Sequence, residues 1–163
     1  MHKTDTETLT HTQRWLELFI VAAMIALLIF FGVHQVTNTG FFTDEFGTFE
    51  QLCLYIPIVV ACLAPAVRAF TGRRNPGRLF EAIGALCLAF GSLWLLIIFP
   101  FNYTHLANAL PYPLRFLLAW ITDDIARIVI VVQIVIAFVS SIVFTWQYLA
   151  IRARTSYTLT RGA

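Results

Sequence analysis

Apolar and polar positions in this chain segregate over whole segments. Four runs are almost wholly apolar, Trp15 to Val36, Phe49 to Phe70, Leu79 to Phe99 and Ile125 to Ile151, and nearly every charge falls between them. At a rise of about 1.5 Å per residue each of the first three reaches about 32 Å, close to the thickness of the hydrocarbon layer of a bilayer. The fourth, at about 40 Å, is longer than that layer requires and predicts a helix that tilts or projects into water. Lipid offers no partner for a bare peptide group, so runs of this kind predict helices. The expected fold class is an all-α integral membrane protein, four transmembrane helices in an up-down bundle.

The connections refine this expectation. Residues 1–13 are polar and without periodicity and predict a flexible tail; residues 14–152 form the membrane domain, and 153–163 a second polar tail. The first run is too long for a signal-peptide core and lacks a small-x-small cleavage site, so it is expected to persist as a span. Pro57 and Pro65 fall inside the second run, where each removes a backbone donor and predicts a bend. Residues 71–78 read T-G-R-R-N-P-G-R, a tight basic turn. Between the third and fourth runs, Pro113 precedes Leu114, Phe116, Leu117, Leu118, Trp120 and Ile121, an apolar run too short to span that predicts a short interfacial helix. Asp123 or Asp124 is placed to cap the last helix.

Composition narrows the class. The 163 residues are 59% hydrophobic and 12% charged, with a mean hydropathy of +0.77, whereas about a quarter of a soluble domain carries charge. Eleven basic residues against nine acidic give a net charge of +2, and they form no continuous stripe, so nucleic acid is not an expected partner. Their distribution does predict sidedness. Lys3, Arg14, Arg68, Arg73, Arg74, Arg78, Arg152, Arg154 and Arg161 gather at one set of span ends, which places both termini in the cytoplasm. Asp44, Glu45, Asp123 and Asp124 fall on the other side with Arg115 and Arg127. Cys53, Cys62 and Cys87 lie inside apolar runs; the first two are about 900° apart around a helix and cannot bridge.

Candidate chemistry is sparse. Phosphate-binding and dinucleotide loops, nucleophile elbows and H-E-x-x-H motifs do not occur in the sequence. Arg14 with Glu17, Arg78 with Glu81, and Asp124 with Arg127 stand at helical spacing near span ends and predict interfacial ion pairs. Gly84, Ala85, Ala89 and Gly91 make one face of the third span smooth enough for close helix packing, and Gln133 and Ser140 are expected to join helices by hydrogen bonding. His34 and His105 fall at a shared level on the non-cytoplasmic side. A neutral imidazole there is able to ligate a haem or a chlorophyll-type pigment, although a hydrogen-bonding role is the commoner use of such residues. Fifteen phenylalanines supply interfacial belts and packing between helices.

By subtraction, the leading expectation is a non-catalytic accessory or scaffolding subunit with no cofactor, whose partners are the bilayer and other membrane subunits or a second copy. A tetrapyrrole-binding subunit, with His34 or His105 holding a haem or chlorophyll-type pigment, is one alternative. A small transporter, with a path past Gln133 opened by the proline bends, is the other.

Overall fold

The computed structural model describes residues 8–72 and 77–161, with side chains described as far as residue 150. Most of the expected N-terminal tail, Arg73 and Arg74 of the basic turn, and the side chains of Arg152, Arg154 and Arg161 lie outside the described residues. Four helices follow in order: α1 (His11–Val36), α2 (Thr48–Thr71), α3 (Arg78–Ile98) and α4 (Asp123–Arg161). All four contain stretches long and apolar enough to cross a bilayer. Among the described residues there is no strand; Phe42 and Phe101 form an isolated antiparallel bridge. The protein is a polytopic, all-α membrane protein.

Helix ends lie where local chemistry satisfies the first and last peptide groups. α1 begins at His11, inside the segment expected to be tail, because Thr10 and Gln13 form a capping box. Thr10 Oγ1 accepts from the Gln13 amide at 3.4 Å, and Gln13 Oε1 accepts from the Thr10 amide at 3.1 Å. The Leu9 amide also donates to the Gly72 carbonyl at 2.8 Å, which ties the chain before α1 to the end of α2. α2 runs unbroken through Pro57 and Pro65 and ends at Gly72, whose φ of 66° is the left-handed cap that glycine adopts without strain. At α4 the cap is Thr122, not Asp123 or Asp124: its hydroxyl accepts from the Ile125 amide at 3.4 Å and its carbonyl from the Ala126 amide at 2.9 Å. Asp123 is turned to another partner, the Tyr103 amide. The short element expected between α3 and α4 takes the form of two 3-10 segments, Tyr103–Ala109 and Tyr112–Leu117, the second with no buried side chain. α4 continues as helix to Arg161, through most of the expected C-terminal tail.

The helices pack in series, α1 on α2, α2 on α3 and α3 on α4, while α1 and α4 make no comparable contact. The α2–α3 contact depends on glycines spaced by seven residues. A Cβ at Gly84 meets the Ala61 backbone at 3.5 Å, and one at Gly91 falls 2.5 Å from the Cys53 carbonyl oxygen and 3.0 Å from Pro57 Cγ. Gly77 continues the series against Ala64 and Arg68. Cys53 stands four residues before Pro57, so its carbonyl lacks the amide donor of a normal helical turn. The Gly91 Cα–H in the position of that absent Cβ faces this oxygen and supplies a weak replacement contact. On α4 the buried residues Ala126, Ala137 and Ser141 share a stripe with Gln133, whose Nε2 donates to Ser92 Oγ of α3 at 2.8 Å.

Candidate functional site

Serial packing leaves a cleft between α1 and α4, floored by α2 and α3. It widens into two chambers. The first, about 480 Å³, is bounded by Ile20 of α1, Ala61 and Pro65 of α2, Ala85 of α3 and Val132 and Ser140 of α4. The second, about 410 Å³, is bounded by Met24, Leu27, Phe31, Pro57, Leu95 and Ile130. Ala61, Leu88 and Gln133 belong to both linings, so the chambers meet at Gln133. Apart from Gln133, Ser92 and Ser140, the walls at mid-depth are almost wholly apolar.

A cluster of charges closes the first chamber at the end of the bundle that carries the termini. Arg68 of α2 reaches Glu17 of α1, with Nε 2.9 Å from Oε1 and Nη2 donating to Oε2 at 3.0 Å. Its Nη1 also donates to Glu81 Oε1 of α3. All three side chains are largely buried, at 15%, 14% and 20% exposure, a depth at which a charge is retained only when paired. Beyond the cluster lies a polar vestibule of about 350 Å³, whose lining includes Gln13, Glu17, Arg78 and Gln147. Arg68 and Glu81 border both spaces and separate the vestibule from the apolar chamber.

This arrangement corrects the expected ion pairs. Glu17 and Glu81 meet across helices on Arg68, and their helical neighbours Arg14 and Arg78 do not pair with them. Arg14 Nε and Nη2 donate to the Ala69 carbonyl at 3.0 and 2.9 Å, and Nη2 reaches the Phe70 carbonyl at 3.4 Å. A cation on the unpaired carbonyls at the end of α2 also complements the helix dipole. Arg127 does not pair with Asp124; its guanidinium lies 4.2 Å from the centre of the Phe99 ring. The central role of Arg68 was missed by spacing rules confined to single helices. The available signal was an arginine inside the second apolar run, where an ionised side chain requires a partner.

The far end is shut by an ordered aromatic cap. The strand-like pairing of Phe42 with Phe101 is framed by bonds from the Thr43 amide to the Pro100 carbonyl at 3.1 Å and from the Asn102 amide to the Phe41 carbonyl at 2.7 Å. Phe41 is fully buried beneath it, in contact with Phe31, His34, Phe101 and Tyr103. His34 is 1% exposed and engages both ring nitrogens, Nε2 with the Leu106 carbonyl at 3.0 Å and Nδ1 with the Thr39 hydroxyl. It therefore fastens α1 to the cap, and metal ligation would require one of those bonds to break. His105 rests against Gly40, where a Cβ would lie 3.2 Å from its Cδ2, and its Nδ1 pairs with Asn108 at 3.0 Å. Among the described residues no group of three or more His, Cys, Asp or Glu side chains is placed to hold a metal ion. Tyr103, which packs under this cap, has its phenol pushed up to about 12 by burial and, secondarily, by the Asp123 carboxylate.

The predicted packing residues divide between interface and cleft. Gly84, Ala89 and Gly91 are buried, and Gln133 bonds α3. Ala85 and Ser140 border the first chamber, and the neighbouring Ser141 is buried. No protein-family profile matches this chain, and no curated protein or solved structure matches it.

Proposed function

We propose that this protein is a non-catalytic accessory or scaffolding subunit of a larger membrane assembly and works through lateral helix contacts. The observation that carries the reading is the open flank of the bundle. α1 and α4 do not close on each other, and none of the most apolar window of α1 is buried. Two transmembrane helices with an uncovered seam between them offer a partner subunit, or a second copy, more packing surface than a closed bundle does. Arg14, Arg68 and Arg78 at the termini-bearing end support an orientation with both termini in the cytoplasm, in a cytoplasmic or inner membrane.

A photoreactive side chain placed at Leu27 or Val132, both in the cleft wall, tests the reading in native membranes. Crosslinking to a polypeptide from these positions, and not from Leu86 or Leu93, is the expected result. A monomer that crosslinks only lipid at endogenous expression overturns it. Sidedness is tested separately by thiol labelling of Asp44→Cys, which the proposed orientation exposes to reagent outside the cell.

A further inference from the structure

The two chambers and the amide between them point to a ligand, an inference independent of the lateral-contact reading. At about 480 and 410 Å³ each chamber lies within the range of about 300–1,000 Å³ typical of small-molecule sites. A whole transmembrane helix, about 10 Å across and about 30 Å long, is far too large for either. Between the Arg68–Glu81 cluster at one end and the aromatic cap at the other, their walls are apolar except at Ser92, at Ser140 and at the junction of the two chambers. The exception at the junction is Gln133. One hydrogen of its Nε2 is given to Ser92 Oγ at 2.8 Å, which leaves a second N–H and the Oε1 acceptor for another partner. Gln133 lies ten residues beyond the start of α4, about 15 Å along the helix and near the middle of a hydrocarbon layer of about 30 Å. No bulk water is available at that depth, and an amide with unused capacity is costly there.

We propose that the chambers bind a lipid-soluble quinone carrying an isoprenoid or alkyl chain, with a ring oxygen hydrogen-bonded to Gln133 and the chain in the adjoining chamber. Depth decides between this class and ordinary bilayer lipid. A phospholipid holds its ester oxygens near the membrane boundary and presents only methylene groups at the level of Gln133, whereas a quinone ring places its oxygens within the apolar layer. The amide suits both forms of the ring, because the N–H donates to a quinone carbonyl and Oε1 accepts from a quinol hydroxyl.

The test uses the purified full chain in phosphatidylcholine nanodiscs, with decylubiquinone as probe and binding read by equilibrium dialysis. Saturable binding is expected, weakened about tenfold in Gln133→Leu by loss of one hydrogen bond and unaffected in Ile142→Leu on the exposed face of α4. Ala61→Leu, which narrows both chambers, is expected to abolish binding, with Ala85→Leu as the second filling variant should the first fail to fold. Decylbenzene, which has the chain and ring but no oxygen, is expected not to compete. Equal binding by wild type and Gln133→Leu, competition by decylbenzene, or no saturable binding in wild type overturns the proposal. Retention of stoichiometric phospholipid that decylubiquinone does not displace also overturns it and assigns the chambers to bilayer lipid.

Discussion

Replacing Gly91 by Ala adds one methyl group at the closest approach of α2 and α3. That Cβ falls 2.5 Å from the Cys53 carbonyl oxygen and 3.0 Å from Pro57 Cγ. Neither atom is the free end of a flexible side chain, so relief requires the helices to separate by about 1 Å, and packed interiors resist such movement. Overpacking of this kind costs about 1–3 kcal/mol. Loss of the Cα–H contact to the oxygen freed by Pro57 adds about 0.5–1 kcal/mol. Against these stands the intrinsic preference of a helix for Ala over Gly, about 1 kcal/mol. The expected net effect is a destabilisation of about 0.5–3 kcal/mol.

Two other glycines calibrate the measurement. Gly32 has nothing within 4 Å of its added Cβ, so Gly32→Ala reports the propensity gain alone. At Gly84 the contacts with Ala61 are 3.5 Å, ordinary van der Waals distances, so Gly84→Ala is expected to be neutral or stabilising. Unfolding in mixed micelles titrated with dodecyl sulfate, followed by circular dichroism, ranks the three. The reasoning is refuted if Gly91→Ala shifts the transition in the same direction as Gly32→Ala.

Three further outcomes follow from the charged cluster and the cap. Arg68→Leu strands Glu17 and Glu81 in a largely buried site and is expected to cost about 3–5 kcal/mol in the same assay, most of it recovered when both glutamates are also changed to Leu. His34→Leu leaves the Leu106 carbonyl and Thr39 hydroxyl without their partner, at about 1–3 kcal/mol for each group left unsatisfied; faster amide exchange at Thr43 and Asn102 is the expected signature. Because the Tyr103 phenol is raised from 10 to about 12 in the folded protein, the folded state holds its proton where the unfolded state has lost it. The corresponding stability, about 2–3 kcal/mol, is complete below pH 10 and is lost as pH rises towards 12. Tyr103→Phe is expected to remove that part of the alkaline loss, and an unchanged pH profile counts against it.

The four spans were legible because membrane solvation imposes one rule on every residue of a run: backbone groups bond within the helix and side chains are apolar. The packing role of Gly84 and Gly91 was legible for a related reason, since close backbone approach requires small residues whatever the partner. Ion-pair partners were not. Arg14 and Glu17 have the spacing of a helical pair, yet α2 ends beside Arg14 with unpaired carbonyls and brings Arg68 to Glu17, and both competitors are set by tertiary register. The start of α1 was recoverable, since Thr10 and Gln13 spell a capping box in sequence. The aromatic cap was harder to foresee. It joins Phe42 to Phe101 across two connections, and neither segment has the period-two pattern of a strand.

Polar fastenings are unevenly distributed around the cleft. At the termini-bearing end Arg68 ties α1 and α3 to α2, and among the described residues no hydrogen bond or ion pair there joins α4 to α1. At the far end both walls are held through the cap: His34 fastens α1 to the Leu106 carbonyl, and Asp123 at the start of α4 accepts from the Tyr103 amide at 2.8 Å. Among the described residues, moving α4 away from α1 at the termini-bearing end therefore breaks no hydrogen bond or ion pair between them, and lipid tails fill an apolar gap at little cost. Separation at the far end breaks the buried bond of His34 to the Leu106 carbonyl, which lipid does not replace, or the exposed bond of the Tyr103 amide to Asp123. Among the described residues the two walls of the seam are therefore the more firmly fastened at the far end.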